Sequence, residues 1–221
     1  MKKIILTFDD GPSKCFEKLL NYLIENNHKA IFFLVGKNIN KNNEKLIIKA
    51  IKKGFLIGNH SYSHPGFRWL SFEKAKEEIL KTEEIIEKLY KKAKVKRPVK
   101  IFRFPSFREG WLNKRKFNKF LEEEGYENPY FENQVFQRIV TLPGYGIYHF
   151  FQRIFRMKNN LYCNLDPADW NEKTSWKQIK KVLDKSKSGD ILNLHDQSKR
   201  TFELTKKICN YLFVKGFKLA Y

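Results

Sequence analysis

The chain has 221 residues, enough for one sizeable hydrophobic core and short for two full enzyme domains. Hydrophobic residues make up 42% of it, which argues against disorder, and we find no apolar run near the roughly 18 residues of a membrane-spanning helix. The net charge of +20 would attract polyanions. Much of this charge, however, is lysine interspersed with glutamate, a pattern typical of solvated helix faces. Because we also find no DNA-reading motif, we expect no nucleic-acid partner.

The amino terminus and the cysteines both favour a cytoplasmic protein. The first seven residues contain two lysines and only three consecutive apolar residues before Asp9, whereas a secretory signal has an apolar region of roughly 7–15 residues. Cys15, Cys163 and Cys209 are isolated and lack C-x-x-C spacing, which indicates reduced thiols. We therefore expect a location in the cytoplasm or at the inner face of the membrane.

Short apolar runs alternate with amphipathic stretches along the chain. The runs predict buried strands at 3–8, 30–35, 55–59, 100–104, 161–165, 190–194 and 217–220. Apolar residues at helical spacing predict helices at 13–26, 43–53, 71–92, 113–124, 175–187 and 201–215. Ser71 is placed to start a helix, and Gly54, Gly125 and Gly216 to end one. The alternation predicts a single α/β domain over 1–221, with parallel strands wound into a barrel or a strongly twisted sheet.

The segment 126–160 breaks this rhythm, because it is too long for an ordinary connection and rich in aromatic and basic residues. We interpret it as an insertion. Its apolar stripes favour a helical hairpin packed on the rest of the domain. A second interpretation is an interfacial element, in which 130–158 contacts an anionic membrane surface through aromatic and basic side chains.

Polar residues cluster where the predicted strands end. Because the carboxyl ends of parallel strands meet at one face, this is where chemistry is expected. The strand-end residues are Asp9 and Asp10, His60 and His64, Arg103, Asp166 and Asp169, and His195 and Asp196.

The pair His60 and His64 has the spacing of two histidines that bind one ion from the same helical turn. A carboxylate as third ligand gives the open His2Asp arrangement of catalytic metal sites. Of the adjacent Asp9 and Asp10, the metal would take one and leave the other free as a base. Alone, the histidine spacing is compatible with chance, and Asp-Asp before Gly-Pro with ordinary turn chemistry.

Together, these segments resemble the NodB-homology domain of the polysaccharide deacetylases, carbohydrate esterase family 4. The five matching segments follow the family order and are Thr7-Phe8-Asp9-Asp10-Gly11-Pro12, His60-Ser61-Tyr62-Ser63-His64, Arg103-Phe104-Pro105, Asp169-Trp170 and Leu194-His195-Asp196. The first two are highly specific in combination. The resemblance implies a distorted (β/α) barrel of about seven strands, one divalent metal ion and hydrolysis of N-acetyl groups on amino sugars. Zinc is the usual ion, with cobalt, nickel and manganese as alternatives.

The resemblance also implies a role for each matched residue. Asp10, His60 and His64 would hold the metal. Asp9 would be the general base, oriented by Arg103. His195 would be the general acid, its imidazolium stabilised by Asp169, and Trp170 would line the acyl pocket.

Two positions depart from the family pattern. Ser106 stands where an aromatic residue usually follows the proline of the third motif, although its backbone N–H remains able to stabilise an oxyanion. Asn193 stands where an apolar residue normally packs against the acetyl methyl. If Asn193 faces the pocket, the pocket is more polar and the acyl group could be formyl.

Two further function classes compete with the deacetylase. A non-catalytic glycan- or lipid-binding member of the same fold would usually have lost a metal ligand or the base, and all are present here. A nucleic-acid-binding protein has only the charge in its favour. The predicted partner is an N-acylated sugar polymer, an oligosaccharide or a lipid-linked sugar.

Overall fold

The computed structural model of the chain describes residues 2–107, 114–130, 140–142, 159–197 and 200–220. The strands are β1 (Lys2–Gly11), β2 (Ala30–Leu34), β3 (Leu56–Asn59), β4 (Val140–Thr141), β5 (Leu165–Asp166), β6 (Asp190–His195) and β7 (Phe217–Leu219). The α-helices are α1 (Phe16–Glu25), α2 (Lys41–Lys52), α3 (Phe72–Ala93), α4 (Lys114–Glu123), α5 (Trp176–Leu183) and α6 (Thr201–Val214). Short 3-10 turns lie at Gly36–Asn38, Phe67–Trp69 and Pro105–Phe107.

The strands form one seven-stranded sheet in the order β3-β2-β1-β6-β5-β4, and β7 pairs with the first residues of β1. All of these pairs are parallel. The predicted α/β class is therefore confirmed. Parallel pairing brings the carboxyl ends of β1, β3, β5 and β6 to the same face of the sheet.

The predicted strand at 100–104 is wrong as a regular strand, because its backbone groups are shared among different partners. It forms only isolated bridges, from Phe102 to Asn59 and from Lys100 to Tyr126. The Arg103 carbonyl faces the His60 ring at 2.8 Å, and the Phe104 N–H donates to the Asn160 side chain. The segment therefore lies between Asn59 of β3 and Leu161, and it bonds to each without forming a continuous row of strand hydrogen bonds.

The predicted strand at 161–165 is mostly wrong as well, since the regular strand β5 covers only Leu165–Asp166. Leu161 instead donates its N–H to the carbonyl of Phe102. The structure adds the strand β4 inside the segment that was interpreted as an insertion, and β4 pairs with β5. The two residues of β4 are too few to leave a clear apolar run in the sequence.

Period-two alternation along the strands separates two cores. Outward residues of β1, such as Phe8, join the large cluster beneath the helices, where Phe8 stacks on Phe32. Inward residues fill the barrel with a smaller cluster of Ile5, Ile31, Phe33, Ile101, Leu161, Cys163 and Ile191. The same inward face of β1 continues from Ile5 through Thr7 to Asp9, so the apolar interior becomes polar at the carboxyl end of the strand.

The predicted helix ends agree with the local backbone. The Ser71 side chain accepts the N–H of Lys74 and caps α3. Gly54, Gly125 and Gly216 adopt φ angles of 78°, 74° and 79°, the left-handed conformation in which glycine commonly ends a helix. Among the described residues, no helix is both long and apolar enough to cross a membrane.

Within the segment 126–160, only residues 126–130, 140–142 and 159–160 are described. Tyr126 and Asn128 are buried, and Val140 and Leu142 belong to the large core cluster. Both the predicted helical hairpin and the predicted membrane-contacting element fall mainly on 131–139 and 143–158, which lie outside the described residues. They remain predictions.

Candidate active site

At the carboxyl end of β1, the side chains of two adjacent aspartates, Asp9 and Asp10, both face the ring of His60. Asp9 points inward by strand alternation, and the next residue would normally point outward. Asp10, however, has a φ of 70°, a left-handed conformation that is unusual outside glycine. As a result, Asp9 Oδ2 lies 3.9 Å and Asp10 Oδ1 3.5 Å from the same atom, Nε2 of His60.

Asp10, His60 and His64 form a group with the geometry of a metal site. One potential ligand atom from each residue lies within 4.8 Å of the other two, and His64 Nε2 is 3.0 Å from Asp10 Oδ1. Asp10 Oδ1 is buried, and the two histidine nitrogens that face it are its only polar neighbours within 4 Å among the contacts described, as expected of an atom that would share an ion with them. Burial raises the pKa of Asp10, but the two histidines outweigh burial and hold it well below its ordinary value. The carboxylate is therefore ionised, the form that a metal binds.

The orientation of His60 is fixed from behind its ring. A carbonyl oxygen can only accept, so Nδ1 donates to the Arg103 carbonyl at 2.8 Å and Nε2 is left to face Asp10. Ser61 and His64 have φ angles of 66° and 61°. Such residues persist only where their surroundings determine the conformation, at a cost of about 1–3 kcal/mol each.

Those surroundings are hydrogen bonds that the sequence motifs did not reveal. Glu78 on α3 accepts both the N–H and the hydroxyl of Ser63, at 2.6 and 2.8 Å. Asn59 accepts the N–H of Ser61 at 2.9 Å, and its own amide donates to the buried Tyr126 hydroxyl. Glu78 precedes the core residue Ile79 on an amphipathic helix, so nothing in the sequence distinguishes it from its solvated neighbours.

Arg103 is fully buried and lies at the centre of the polar end of the barrel. Its Nη1 is 2.7 Å from Asp9 Oδ1, 2.8 Å from Thr7 Oγ1 and 2.7 Å from Asn193 Oδ1. The guanidinium also lies 4.1 Å above the ring of Phe33. An ion pair buried in this way fixes the orientation of the Asp9 carboxylate.

His195 and Asp169 form a second pair, in which Asp169 is buried and His195 is partly exposed. Asp169 Oδ1 lies 2.8 Å from His195 Nδ1, and Oδ2 accepts the backbone N–H of His195 at 2.9 Å. Burial by itself would lower the pKa of His195, but Asp169, helped by Asp10 and Asp9, raises it to about 10. Nε2, the other ring nitrogen, lies 3.4 Å from the amide nitrogen of Asn193.

Asp196 connects the first and last motifs. Its carboxylate accepts the N–H and the hydroxyl of Ser13, and its own N–H donates to the Asp9 carbonyl. A Cβ on Gly11 would lie 2.9 Å from Asp196 Oδ2, so this turn packs too closely for a larger residue. Asp196 therefore holds the loop after β1 against the end of β6.

The structure thus brings seven of the predicted site residues into one connected set: Asp9, Asp10, His60, His64, Arg103, Asp169 and His195. Asn193 links the two halves of the set, since it contacts both Arg103 and His195. Ser106 is exposed, with a φ of 52°, and Trp170 is 39% exposed beside Asp169. The substrate-binding roles of Ser106 and Trp170 remain predictions.

Comparison with known proteins adds independent evidence for the family. The family model described as polysaccharide deacetylase matches residues 1–127. A peptidoglycan-N-acetylglucosamine deacetylase of Bacillus cereus is 41% identical over 88 residues, which cover 39% of this chain and 32% of the relative. Another B. cereus protein of that name is 28% identical over 223 residues, covering 99% of this chain and 85% of the relative.

The fold comparison extends over the whole chain. The crystal structure of the polysaccharide deacetylase Bc1974 from B. cereus superposes with a TM-score of 0.71 at 23% identity, and covers 100% of this chain and 92% of that one. Three of the curated relatives are longer proteins, of which the chain spans 32%, 38% and 25%. The family match covers more than half of the chain and includes the first three motifs. The chain belongs to the polysaccharide deacetylase family, with the NodB-homology barrel of carbohydrate esterase family 4.

Proposed function

We propose that the chain is a metal-dependent hydrolase that removes the N-acetyl group, or a similar small N-acyl group, from an amino sugar of a glycan. The observation that carries this proposal is the convergence of Asp10, His60 and His64 beside the buried carboxylate of Asp9. His195, a histidine suited to donate a proton, lies beside the same site: its Nε2 is 3.4 Å from the amide nitrogen of Asn193, whose Oδ1 accepts from Arg103.

The three converging side chains fit a catalytic metal. Asp10 Oδ1, His60 Nε2 and His64 Nε2 would hold one divalent ion, and two imidazoles with one carboxylate suit zinc while also accepting cobalt, nickel or manganese. Bound there, the ion would supply a Lewis acid that polarises the amide carbonyl and lowers the pKa of a water molecule. Three protein ligands leave room for water and substrate.

Asp9 is the proposed general base. Arg103 holds Oδ1 of Asp9, which leaves Oδ2 on the side of His60 and the proposed metal site. A carboxylate fixed in this way accepts the proton of the attacking water without first having to reorient. The buried guanidinium of Arg103 also pairs with the charge of the Asp9 carboxylate, which would be energetically unfavourable inside the barrel without a partner.

His195 is the proposed general acid, because an amine leaves only after its nitrogen has been protonated. Asp169 accepts from Nδ1, so Nε2 is the atom that can donate a proton to the leaving nitrogen. With a pKa of about 10, the imidazole is protonated at neutral pH. As the pH rises through that value the acid is lost, so the account predicts a fall in rate on the alkaline side.

The substrate class is inferred from the relatives, whose names specify N-acetylglucosamine or N-acetylmuramic acid of peptidoglycan. We propose an N-acylated glycan of this kind, as polymer, oligosaccharide or lipid-linked sugar. Asn193 is fully buried and lies beside His195 and Arg103, which supports the proposal that it makes one wall of the acyl pocket polar. N-formyl sugars are therefore included among the candidate substrates.

Contact with an anionic membrane through 130–158 is a separate proposal. It is supported only by the aromatic and basic composition of that range, and most of the range lies outside the described residues. A non-catalytic glycan-binding role is less well supported, because all the proposed ligands and proton carriers are present and connected.

Mass spectrometry of a substrate panel tests the proposal. Zinc-loaded protein would be incubated with N-acetyl and N-formyl forms of glucosamine oligomers, muramic-acid-containing fragments and lipid-linked amino sugars. We expect loss of one acyl group from at least one class and no loss with Asp9→Asn. If the chain binds these sugars but no deacylated product forms, the non-catalytic alternative is correct.

A further inference from the structure

Trp69 lies on the loop that carries the proposed metal ligand His64, yet neither the family motifs nor the catalytic set uses it. Its side chain is 75% exposed, more than any other aromatic side chain among the described residues. A single exposed apolar residue is ordinary on a protein surface. Trp69 stands out because its position and its orientation are both fixed beside the site.

The turn beneath Trp69 is anchored to the core. Phe67 is buried, with its ring centroid 5.0 Å from that of Phe104, and the Trp69 N–H donates to the Gly66 carbonyl. Two residues later, Ser71 begins α3. The backbone of Trp69 is therefore held between a buried aromatic anchor and a capped helix.

The indole ring is also held in place. A Cβ on Gly66 would lie 3.1 Å from Cδ1 of Trp69, so the indole edge packs against the glycine backbone. The Arg68 guanidinium lies 4.3 Å from the ring centroid, a cation–π contact with the indole. An aromatic ring fixed in advance binds a ligand without a large loss of side-chain entropy.

The ring is close to the opening of the site. Gly66, on which the indole packs, is two residues from His64, and two residues span at most about 7 Å. The side chain of His64 is itself 32% exposed, so the site opens on this side. The loop that carries Trp69 therefore continues directly from the exposed edge of the site.

The neighbouring surface combines polar and apolar groups. A groove next to this loop is lined by Tyr62, Leu70, Lys74, Glu77, Glu78 and Lys81. Tyr62 lies between the two histidines of the motif, and Lys81 Nζ is 3.6 Å from its ring centroid. Hydroxyl-rich ligands require such hydrogen-bonding side chains beside an aromatic face.

The only other tryptophan among the exposed large apolar residues of the described chain, Trp170, follows the end of β5 at the same face of the sheet. Both exposed indoles therefore lie on loops at the carboxyl ends of the strands. The C–H face of a pyranose ring carries weak positive charge and complements the negative face of an indole.

We propose that Trp69 is a stacking platform for a sugar unit two or more units along the chain from the one that is deacylated, and forms part of a glycan subsite on the loop that carries His64. This inference rests on the proposed function, and adds that the substrate is a chain of at least several sugars. A single N-acylated sugar would not reach the platform.

Binding measurements with oligosaccharides of different length test the subsite. Zinc-loaded Asp9→Asn protein would be titrated calorimetrically with N-acetylglucosamine disaccharide and hexasaccharide, with and without Trp69→Ala. We expect Trp69→Ala to weaken hexasaccharide binding about tenfold, equivalent to about 1.4 kcal/mol, and to leave disaccharide binding within about twofold. Trp69→Phe should restore most of the loss. Phe213→Ala, which removes a side chain 68% exposed near the end of α6, should have no effect.

The outcomes separate the subsite from the function itself. Equal hexasaccharide affinity with and without Trp69 would overturn the subsite, as would equal weakening for both lengths. If neither oligosaccharide binds the parent protein, the proposed glycan substrate and the subsite both fail. Deacylation of the disaccharide by the wild-type chain, together with hexasaccharide binding that does not depend on Trp69, would refute the subsite alone.

Discussion

The two sides of the candidate site are built differently. The metal side, consisting of Asp10, His60 and His64, combines left-handed backbone at Asp10 and His64 with a loop held by the Glu78 side chain of α3 and by the backbone carbonyl of Arg103. The acid side, His195 and Asp169, depends on a regular strand and one carboxylate that contacts both the ring and the backbone of the histidine.

This difference shows what each side must achieve. Three ligand atoms from distant parts of the chain have to meet at one point, so the metal side requires unusual backbone and many supporting contacts. The acid side has to control one proton, and a single buried carboxylate is sufficient for that. Changes on the metal side should therefore alter metal occupancy, whereas changes on the acid side should alter the pH dependence of the rate.

The largest expected effect comes from removing the metal ligands. His60→Ala with His64→Ala leaves Asp10 as the only ligand of the triad, so metal content measured by elemental analysis should fall to background and activity with it. Each single substitution, and Asp10→Asn, should reduce occupancy strongly. Circular dichroism would verify the fold. Full metal content in the double variant would contradict the site assignment.

The next effect separates the base from the ligands. Asp9→Asn should retain the metal, because Asp10 supplies the carboxylate ligand, yet lower kcat by a factor of about 10² to 10⁴. Metal content and thermal unfolding measured on the same sample provide the control. Near-normal turnover would mean that another group accepts the proton.

The acid side should respond in its pH profile. Asp169→Asn removes the carboxylate that raises the pKa of His195 to about 10. The acid should then lose its proton at a lower pH, so the alkaline limb of the kcat–pH profile should shift to lower pH. Metal content should not change. Asp184→Asn, which removes an exposed carboxylate from the end of α5, is the matched control. An unchanged alkaline limb in Asp169→Asn would exclude His195 as the acid.

The smallest effect concerns the contacts behind the metal loop. Glu78→Ala removes both hydrogen bonds that hold the loop to α3, and should weaken metal affinity about 10- to 100-fold without abolishing it. Ser63→Ala removes only the hydroxyl bond and keeps the backbone one, so its effect should be smaller. Competition with a zinc chelator measures this. Glu77→Ala, an exposed neighbour on the same helix, should bind zinc normally. Equal effects of the two glutamate substitutions would show that Ser63–Glu78 does not position the ligands.

The sequence predicted the long strands and the chemistry-bearing residues, because both leave strong local signals. Apolar runs are clear in β1, β2 and β6, and Asp-Asp and H-x-x-x-H are distinctive. Alternation along β6 also explains why Asn193 and His195 share a face, since they are two residues apart. Asn193 nonetheless does more than was expected, because it contacts both Arg103 and His195.

The supporting contacts were not predictable, because they join positions far apart in the chain that carry ordinary residues. Glu78 and Asn59 are common residue types, and only the packing of α3 on β3 places them behind the ligand loop. The irregular segment 100–104 was mistaken for a strand for a related reason. It is as apolar as a strand, but its hydrogen bonds are divided among several partners, namely Asn59, His60, Glu127, Asn160 and Leu161.

The most direct test of the account is to titrate metal-free protein with zinc and follow acyl release from the substrate found in the panel. If Asp10, His60 and His64 hold one catalytic ion, activity should be absent at the start, rise in proportion to added zinc and saturate at one ion per chain. The His60→Ala/His64→Ala variant should stay inactive over the same range. Acyl release by the metal-free chain, or saturation that the double variant reproduces, would contradict the account.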